Sequence, residues 1–489
     1  MMARVHGVRL ARERLRRWPS GQALVLALFL LVAGVAALLR LFDTGQLVHE
    51  RARLTQAADA AAYSGALAVA RALNLQAYAN RTQIAHQVAM AHLVTLASAS
   101  RFAATEGTRA SLGNPPASVI GLLFGPQHGA AYLAARAGAG MDAVAQQGLR
   151  AAFDAHDRLV HEVLWRSQQA VAATLPATRW AAMQAVLKAN DTLGAAPAAD
   201  AAQLDPVFLA DTLPGFIGVY AGASRARLAG LVREATAHYG FLDPRNHTAR
   251  NAWLVSPRCP WRRHELRRRG ETALEGNDTW TSTDTQSYHA LRSNRWIGCY
   301  FREYPMGWAD AAAQGRPPAE ETSPGVDAPA DFSAQDFWRW AQANTDWDIF
   351  NGTSNPLANA YARASRIRWQ SRGLPGFVDI STRAAQDASG VRFAVRVWRG
   401  AGGLAVTGAA SQVRVGPGPL RGNARLPGDA LAVVSAAQTF FERPQARQDG
   451  AEERPSLYQP YWQARRVSVT AQERALARER QGLGAGRGA

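Results

Sequence analysis

An apolar run near the N-terminus constrains this chain more than any other feature. Residues 23–39 carry no polar side chain, and six arginines precede them within the first 17 residues. As a helix, the run would be about 25 Å long at 1.5 Å per residue, which just reaches the thickness of a bilayer's hydrocarbon core. The pattern predicts a transmembrane helix at residues 22–42.

The flanking charges indicate how such a helix would be oriented. Arginines on its N-terminal side favour a cytoplasmic basic stub at residues 1–21, with the rest of the chain translocated. A cleaved signal peptide would have a shorter apolar region and a small-x-small cleavage site, whereas Arg40, Leu41 and Phe42 follow this run. A buried helix of a soluble protein would not explain the one-sided arginines. We therefore expect a single-pass protein of a bacterial inner membrane, with its N-terminus cytoplasmic and its bulk periplasmic.

Composition sets the size and character of the region beyond this helix. The chain has 489 residues, of which 47% are hydrophobic and 19% charged, enough for several domains with buried cores. Its net charge of +17 comes almost wholly from arginine, since Lys188 is the only lysine. Together with the high alanine content, this usage indicates coding bias. No nucleic-acid partner is expected, because the basic segments would face the periplasm.

Periodicity and composition predict an α+β protein with an elongated helical region near the membrane and strands farther along the chain. Residues 43–240 are rich in alanine and leucine and are predicted helical, with a bend or break at Gly65, another break near Pro176, and two short helices between residues 206 and 239. We expect separate cores for this helical region and for the distal one.

Residues 241–314 are predicted to be strand-rich, with neighbouring strands at 280–289 and 295–304. Residues 315–331 resemble a linker or loop, and residues 332–470 an α+β region. Within that region we predict helices at 334–344 and 429–441, and strands at 376–382, 391–398 and 404–415. Residues 471–489 form a charged tail.

Two cysteines, Cys259 and Cys299, are the only ones in the chain. An even, small number in a periplasmic region is typical of a disulfide, although two unpaired buried thiols remain the alternative. Neither cysteine belongs to a CxxC pair, so a redox motif or zinc ribbon is not indicated.

A dense basic patch lies beside Trp261 in the strand-rich region. It consists of Arg262, Arg263, Arg267, Arg268 and Arg269. Such a patch could bind anionic lipid, lipopolysaccharide or cell-wall polymer, and an exposed arginine-rich loop without a ligand is the alternative.

Signatures of catalysis, metal binding and cofactor binding are weak. The closest histidine pairs, His86 with His92 and His156 with His161, are six and five residues apart and do not share a helix face. HExxH, GxxxxGK[ST] and GxSxG motifs do not occur. We expect no enzymatic activity, no metal site and no cofactor.

Several segments resemble the TadE/TadG-like proteins of the tight-adherence (Flp) pilus assembly system. They are GQALVL at residues 21–26, LTQAADAAAYSGA at 54–66 and LQAYANRTQIA at 75–85, with SAAQ at 435–438 and PYWQAR at 460–465 similar to a TadG-related subgroup. The resemblance implies a structural or assembly component whose partners are pilins or platform subunits of the pilus machinery.

Two positions depart from that family. Leu26 stands where pilins of this type carry a glutamate after their processing site, which argues against processing. Longer members end in a domain with a metal-binding Asp-x-Ser-x-Ser, and the nearest string here, Asp379 to Arg383, replaces the second serine by arginine.

A narrow stripe of small residues follows the apolar helix. Its members are Ala58, Ala61, Ala62 and Gly65. Because small side chains let helix backbones approach closely, the stripe predicts a helix-packing surface for other subunits, with plain helix propensity as the alternative. Asp59 lies off the stripe, where we expect it to be solvated or paired with a nearby arginine.

Two other functions remain open from the sequence. One is a membrane-tethered periplasmic binding or sensing module that uses the tryptophan-rich residues 250–310 as a ligand site. The other is a tethered envelope hydrolase. A concave aromatic pocket would favour the former, and a cluster of perturbed carboxylates the latter.

Overall fold

The computed structural model of the chain describes residues 20–140, 142–191, 201–276, 278–296, 298–314, 358, 361–362, 365–387, 390–400, 426 and 430–482. Outside these described residues lie most of the predicted stub, the predicted linker at 315–331, the predicted helix at 334–344 and the predicted strand at 404–415.

One helix dominates the architecture. Helix α1 runs from Ser20 to Leu112 and has 93 residues, which corresponds to about 140 Å of helix. The predicted break at Gly65 is wrong. A glycine inside a helix costs roughly 1 kcal/mol relative to alanine, but packing on both sides of Gly65 outweighs that cost.

The first part of α1 differs from the rest in its surroundings. It contains a strongly apolar stretch of 18 residues, none of it buried, so it is long and apolar enough to cross a membrane. Leu24 is 74% exposed and Phe29 is 70% exposed. From Glu50 onward, by contrast, each turn of α1 has side chains that are buried by the rest of the chain.

Among the described residues, seven further helices surround this central one. They are α2 (Ala117–Phe124), α3 (Pro126–Ala134), α4 (Asp142–Arg158), α5 (Arg166–Asn190), α6 (Ala226–Thr236), α7 (Thr382–Asp387) and α8 (Ala471–Arg480). A π-helical segment, Leu159–Trp165, joins α4 to α5. Short 3₁₀ helices lie at Ala135–Gly138, Gly222–Arg225 and Gly240–Leu242. Pro176 lies inside α5 without ending it, contrary to the prediction.

The described strands form three sheets. The strands are β1 (Gln203–Leu204), β2 (Ala210–Asp211), β3 (Ile217–Tyr220), β4 (His247–Arg250), β5 (Glu265–Leu274), β6 (Trp280–Asn294), β7 (Gly298–Gln314), β8 (Arg366–Gln370), β9 (Phe377–Ile380), β10 (Val391–Gly400), β11 (Ala430–Phe441) and β12 (Trp462–Val467). The first sheet has the order β1-β10-β11-β12, with β2 beside β10, and the second pairs β3 with β9. The third has the order β4-β5-β6-β7-β8, antiparallel except between β7 and β8.

These elements confirm an α+β chain with a long N-terminal helix and a strand-rich distal region. The predicted strands at 280–289, 376–382 and 391–398 are present, whereas residues 429–441 form β11 instead of a helix. Residues 206–239 contain β2 and β3 as well as α6, so the region from 43 to 240 is not wholly helical.

The two halves of the chain share their hydrophobic cores. Met90 and Val94 of α1 pack with Trp280 of β6 and Trp369 of β8. Farther toward the N-terminus, Ala61 packs with Phe393 of β10. The expectation of separate proximal and distal cores is therefore wrong, because the sheets fold back onto α1 and bury its faces along most of its length.

A stripe of buried amides on α1 adds specific hydrogen bonds to this packing. The stripe consists of Asn74, Gln76, Asn80, Gln83 and Gln87, and all except the half-buried Asn74 are fully buried. These residues recur at spacings of two to four, which keeps them on one side of a helix. Burying an amide is favourable only if it is hydrogen-bonded, so each requires a partner from the rest of the chain.

The partners come from segments remote in sequence. Asn80 Nδ2 donates to the carbonyl oxygens of Val378 (2.7 Å) and Leu457 (2.6 Å), and its Oδ1 accepts from Gln168 Nε2 at 2.7 Å. Gln83 Nε2 donates to Gln168 Oε1 and to the carbonyl of Gly376. The amide stripe thus binds α5, the start of β9 and the segment before β12 to the same three turns of α1.

Two further amides extend these contacts at either end. Asn74 binds the backbone of Trp462 reciprocally, since its Nδ2 donates to the carbonyl oxygen and its Oδ1 accepts from the amide, both at 2.9 Å. At the other end, the indole nitrogen of Trp280 donates to Gln87 Oε1 at 2.9 Å. All three sheets are therefore attached directly to α1.

Replacing Asn80 by alanine should lower the free energy of unfolding by about 3 kcal/mol, because two buried carbonyls and one buried amide lose their partner. Denaturant unfolding in detergent measures this change. Gln56→Ala, at an exposed position of the same helix, is the matched control and should change stability by less than about 0.5 kcal/mol. Equal stabilities of the two variants would contradict the role assigned to the amide stripe.

Candidate interaction surfaces

The stripe of small residues on α1 faces the chain's own interior. Ala58, Ala61 and Ala62 are 0% exposed, and Gly65 is buried as well. A Cβ atom on Gly65 would lie 2.7 Å from Met183 Cγ and 3.0 Å from Phe393 Cζ. The stripe is a close-packing surface, but the prediction that it binds other subunits is wrong, because α5 and the first sheet already cover it.

Asp59, next to this stripe, attaches α1 to the C-terminal strands. Its Oδ2 lies 2.5 Å from the guanidinium of Arg466 on β12, and its Oδ1 accepts a 2.6 Å hydrogen bond from Ser435 Oγ on β11. The carboxylate is thus paired with an arginine, one of the two environments expected for it. The arginine comes from more than 400 positions along the chain, which no local pattern indicates.

Cys259 and Cys299 are joined in a disulfide, the pairing predicted from the sequence, with their Cα atoms 6.0 Å apart. Cys259 lies in the loop between β4 and β5, and Cys299 at the start of β7. The bond fastens that loop to the turn between β6 and β7, at one end of the third sheet.

The predicted basic patch is divided between two environments. Arg267 is buried, with a guanidinium nitrogen 2.7 Å from Glu265 Oε2. Arg268 points to the other face of β5, where it pairs with buried Asp284 at 3.0 Å and covers the ring of Phe102 at 3.5 Å. Because successive residues of a strand alternate in direction, these neighbours cannot form one surface.

The remaining members of the patch have different partners. Arg269 donates to the carbonyl oxygen of His247 and to Thr248 Oγ1 on β4. Arg262 donates to the carbonyl of Cys299, and Arg263 to that of Pro260, so both belong to the loop that carries the disulfide. Three of the five arginines are therefore structural residues of β5, and two lie at the end of the sheet.

That end of the sheet carries the most exposed large aromatic side chains among the described residues. Trp261 is 92% exposed and Trp296 is 83% exposed. We call the two segments 251–264 and 292–300, which the disulfide joins, the aromatic tip. Trp261 lies beside the arginines in the sequence, whereas Trp296 is brought to the same surface only by the disulfide and by the pairing of β6 with β7.

Two histidines from different helices meet in the structure. His86 of α1 and His156 of α4 lie with their Nδ1 atoms 2.7 Å apart. The histidines that lie closest in the sequence are not the ones that meet in the structure. His86 contacts His156 and not His92, and His156 contacts His86 and not His161. Burial and the proximity of His156 lower the pKa of His86.

Asp379, the first residue of the metal-site-like string, is held by the protein itself. It is fully buried and accepts hydrogen bonds from the backbone amides of Ile380 (2.8 Å) and Leu457 (2.9 Å). A guanidinium nitrogen of Arg227 lies 2.6 Å from its Oδ2. Ser381 Oγ donates to the carbonyl of Gly215. These contacts make Asp379 a structural carboxylate, and within the described part of the chain no three His, Cys, Asp or Glu residues form a cluster suited to a metal ion.

A groove of about 580 Å³ lies between α5 and the segment containing β2 and β3. Its walls are mainly apolar, with Leu175, Pro176, Leu213 and Ile217 among them, and the only charged groups lining it are the ion pair of Arg179 and Asp211. No aromatic side chain lines this groove, and it lies outside residues 250–310. It therefore differs from the aromatic pocket expected of a binding module.

Comparison with known proteins identifies one segment of the chain. Residues 21–71 match the model of the family described as putative Flp pilus-assembly TadE/G-like, which confirms the resemblance inferred from the sequence over these residues. No curated protein and no solved structure matches the chain. The matched segment comprises the exposed apolar part of α1 and the small-residue stripe that follows it.

Replacing Gly65 by leucine should destabilise the whole protein, because the new side chain would collide with Met183 and Phe393. Thermal unfolding should show a loss on the order of 3 kcal/mol. Gly148→Leu is the control, since Gly148 lies in α4 with open space at its Cβ position. If the Gly65→Leu protein were as stable as the Gly148→Leu protein, the small-residue stripe would not be packed against the rest of the chain and could be a free surface.

The histidine pair should make stability depend on pH. In the folded chain the pKa of His86 lies below its usual value, so the unfolded chain takes up more protons as pH falls through about 6.5. The free energy of unfolding contributed by His86 should therefore decrease on going from pH 7.5 to 5.5. His156→Gln removes the repulsion, and its pH dependence should be shallower than that of the wild type. Parallel curves for the two proteins would exclude this role.

Proposed function

Because residues 21–71 form a TadE/G-like segment, we propose that the chain is a non-catalytic, single-pass component of a Tad-type (Flp) pilus assembly apparatus. Residues 22–42 anchor it in the bacterial inner membrane, the N-terminal stub is cytoplasmic, and the bulk of the chain is periplasmic. Its partners are pilins or other platform subunits of the same apparatus.

The anchoring role is supported by the exposure of the apolar part of α1. Apolar side chains point outward on every side of the helix between Leu24 and Leu38, and none of the most apolar window is covered by the rest of the chain. In water, such a surface would be strongly unfavourable, whereas a bilayer provides the apolar solvent that it requires. A helix apolar on all sides is typical of a membrane span.

Two independent features support the orientation. The arginines of residues 1–17 favour the cytoplasmic side for the N-terminus. The disulfide between Cys259 and Cys299 favours an oxidising compartment for the body of the chain. Both agree with a cytoplasmic stub and a periplasmic body.

The interior carboxylates support a structural role. Asp284 is paired with Arg245 and Arg268, and Asp310 with Arg366. Burial raises the pKa of Glu106 to about 7, but this carboxylate faces Gln286 at the interface between α1 and the third sheet. A general acid or base must come within hydrogen-bond reach of a substrate, whereas Glu106 is directed toward this internal interface, so its position favours packing over catalysis.

Pilus assembly is tested by deleting the chain in a cell that builds Tad-type pili. We expect surface pili to be lost and then restored by the full-length chain. A version whose residues 1–42 are replaced by a cleavable signal peptide should accumulate in the periplasm without restoring them, because the anchor is missing. Immunoblotting of membrane and periplasmic fractions controls for the amount and location of each protein. Normal piliation in the deletion strain would overturn the proposal.

A further inference from the structure

The aromatic tip concentrates positive charge without any acidic residue. Segments 251–264 and 292–300 contain five arginines and no aspartate or glutamate. The five are Arg258, Arg262, Arg263, Arg292 and Arg295. None of them forms an ion pair with another described residue, whereas Arg267 and Arg268 of β5 do so. Unpaired guanidinium groups leave the tip with a strongly positive field.

Two tryptophans stand among these charges. Large aromatic side chains stabilise a folded protein mainly through burial. The rings of Trp261 and Trp296 are so exposed that their burial contributes little to the stability of the fold. Trp253 and Leu254 in the same loop are about half exposed. The guanidinium carbon of Arg295 lies 5.0 Å from the ring centre of Trp296. Apolar and basic groups are thus interleaved over one surface.

The backbone of the tip is held in place by several cross-links. Besides the disulfide, Ser256 Oγ and Ser293 Oγ are hydrogen-bonded at 3.0 Å, and the amide of Leu291 donates to His264 Nδ1 at 2.8 Å. Arg262 adds a bond to the carbonyl of Cys299. A surface fixed in this way loses little conformational entropy when it binds a partner.

The tip lies at the opposite end of the molecule from the apolar span. Contacts of β6 advance along α1, from Trp280 beside Gln87 to Asp284 beside Ser98 and then Gln286 beside Glu106. The last residues of β6 continue roughly 20 Å farther at 3.3 Å per residue. Since residues 43–112 of α1 span about 105 Å, the tip cannot touch the membrane that residues 22–42 cross.

The side-chain chemistry identifies the partner. Tryptophan is enriched at membrane–water interfaces, and arginine binds phosphate through paired hydrogen bonds. A small ligand would require a cleft, whereas rings that are 92% and 83% exposed lie outside any cleft. We propose that the aromatic tip binds the anionic headgroup layer of a second membrane, facing the one that anchors the chain. The position of the anchoring membrane is taken from the proposed function, but binding by the tip does not depend on pilus assembly.

Vesicle co-sedimentation tests this proposal. The full-length chain, held in nanodiscs of phosphatidylcholine, is mixed with heavy vesicles of phosphatidylcholine with or without phosphatidylglycerol. We expect binding only to the anionic vesicles. Trp261→Ala with Trp296→Ala, and separately Arg258→Gln with Arg292→Gln, should each weaken it about tenfold or more. All four side chains are exposed, so thermal stability should not change.

Matched controls remove similar groups elsewhere on the surface. Arg474→Gln with Arg478→Gln on α8 deletes the same charge, and Tyr78→Ala removes an exposed aromatic ring of α1. Both should bind as the wild type does. Equal binding to neutral vesicles, or undiminished binding by the tip variants, would overturn the proposal. Binding of soluble heparin that survives the double tryptophan replacement, with no binding to vesicles, would also overturn it and indicate a polymer site. Piliation of the tip variants is measured in a separate experiment. A variant that no longer binds vesicles therefore tests the tip alone, and the role in pilus assembly is tested by the deletion strain.

Discussion

Hydrogen bonds from buried amides of α1 to remote backbone groups determine how the rest of this chain is arranged. Asn80 alone binds the carbonyls of Val378 and Leu457, which lie 298 and 377 positions away in sequence. A buried amide without a partner would cost on the order of 1–3 kcal/mol. Sliding a sheet along α1 would break these bonds, so each bond favours one position of the sheet along the helix. Hydrophobic packing brings the sheets to α1, and the amides decide where along it they sit.

Some of the segments on which the sequence resemblance was based lie close together in the fold. Residues 75–85 carry Gln76, Asn80 and Gln83 of the amide stripe, and the adjacent Asn74 binds the backbone of Trp462, the first residue of β12. Ser435 and Arg466 likewise hold Asp59 within the segment 54–66. Segments that are far apart in the sequence therefore form one interface, which continues directly from the helix proposed to be anchored in the membrane.

Sequence patterns correctly predicted elements that depend on interactions between residues close in the sequence. The alternation in Trp280–His289 identified β6, and the alanine-rich composition identified α1. The pattern in Ala430–Phe441 misled because both faces of β11 are buried: Leu431 and Val433 pack toward α1, and Ala436 packs with Ala477 of α8. A strand buried on both sides loses its alternation and resembles a buried helix. The small-residue stripe was correctly recognised as a packing surface, but its partner, and the meeting of His86 with His156, depend on contacts across the whole fold.

This architecture requires α1 to be one continuous helix from the apolar span into the folded body. Spin labels at Gly45 and Ala85, both exposed on α1, measure this directly by double electron–electron resonance on the full-length chain in nanodiscs. Forty residues of unbroken helix correspond to a separation of about 60 Å. A narrow distribution centred near that value would support a continuous helix. A markedly shorter or broad distribution would show a break or hinge between the span and the body, and would contradict it.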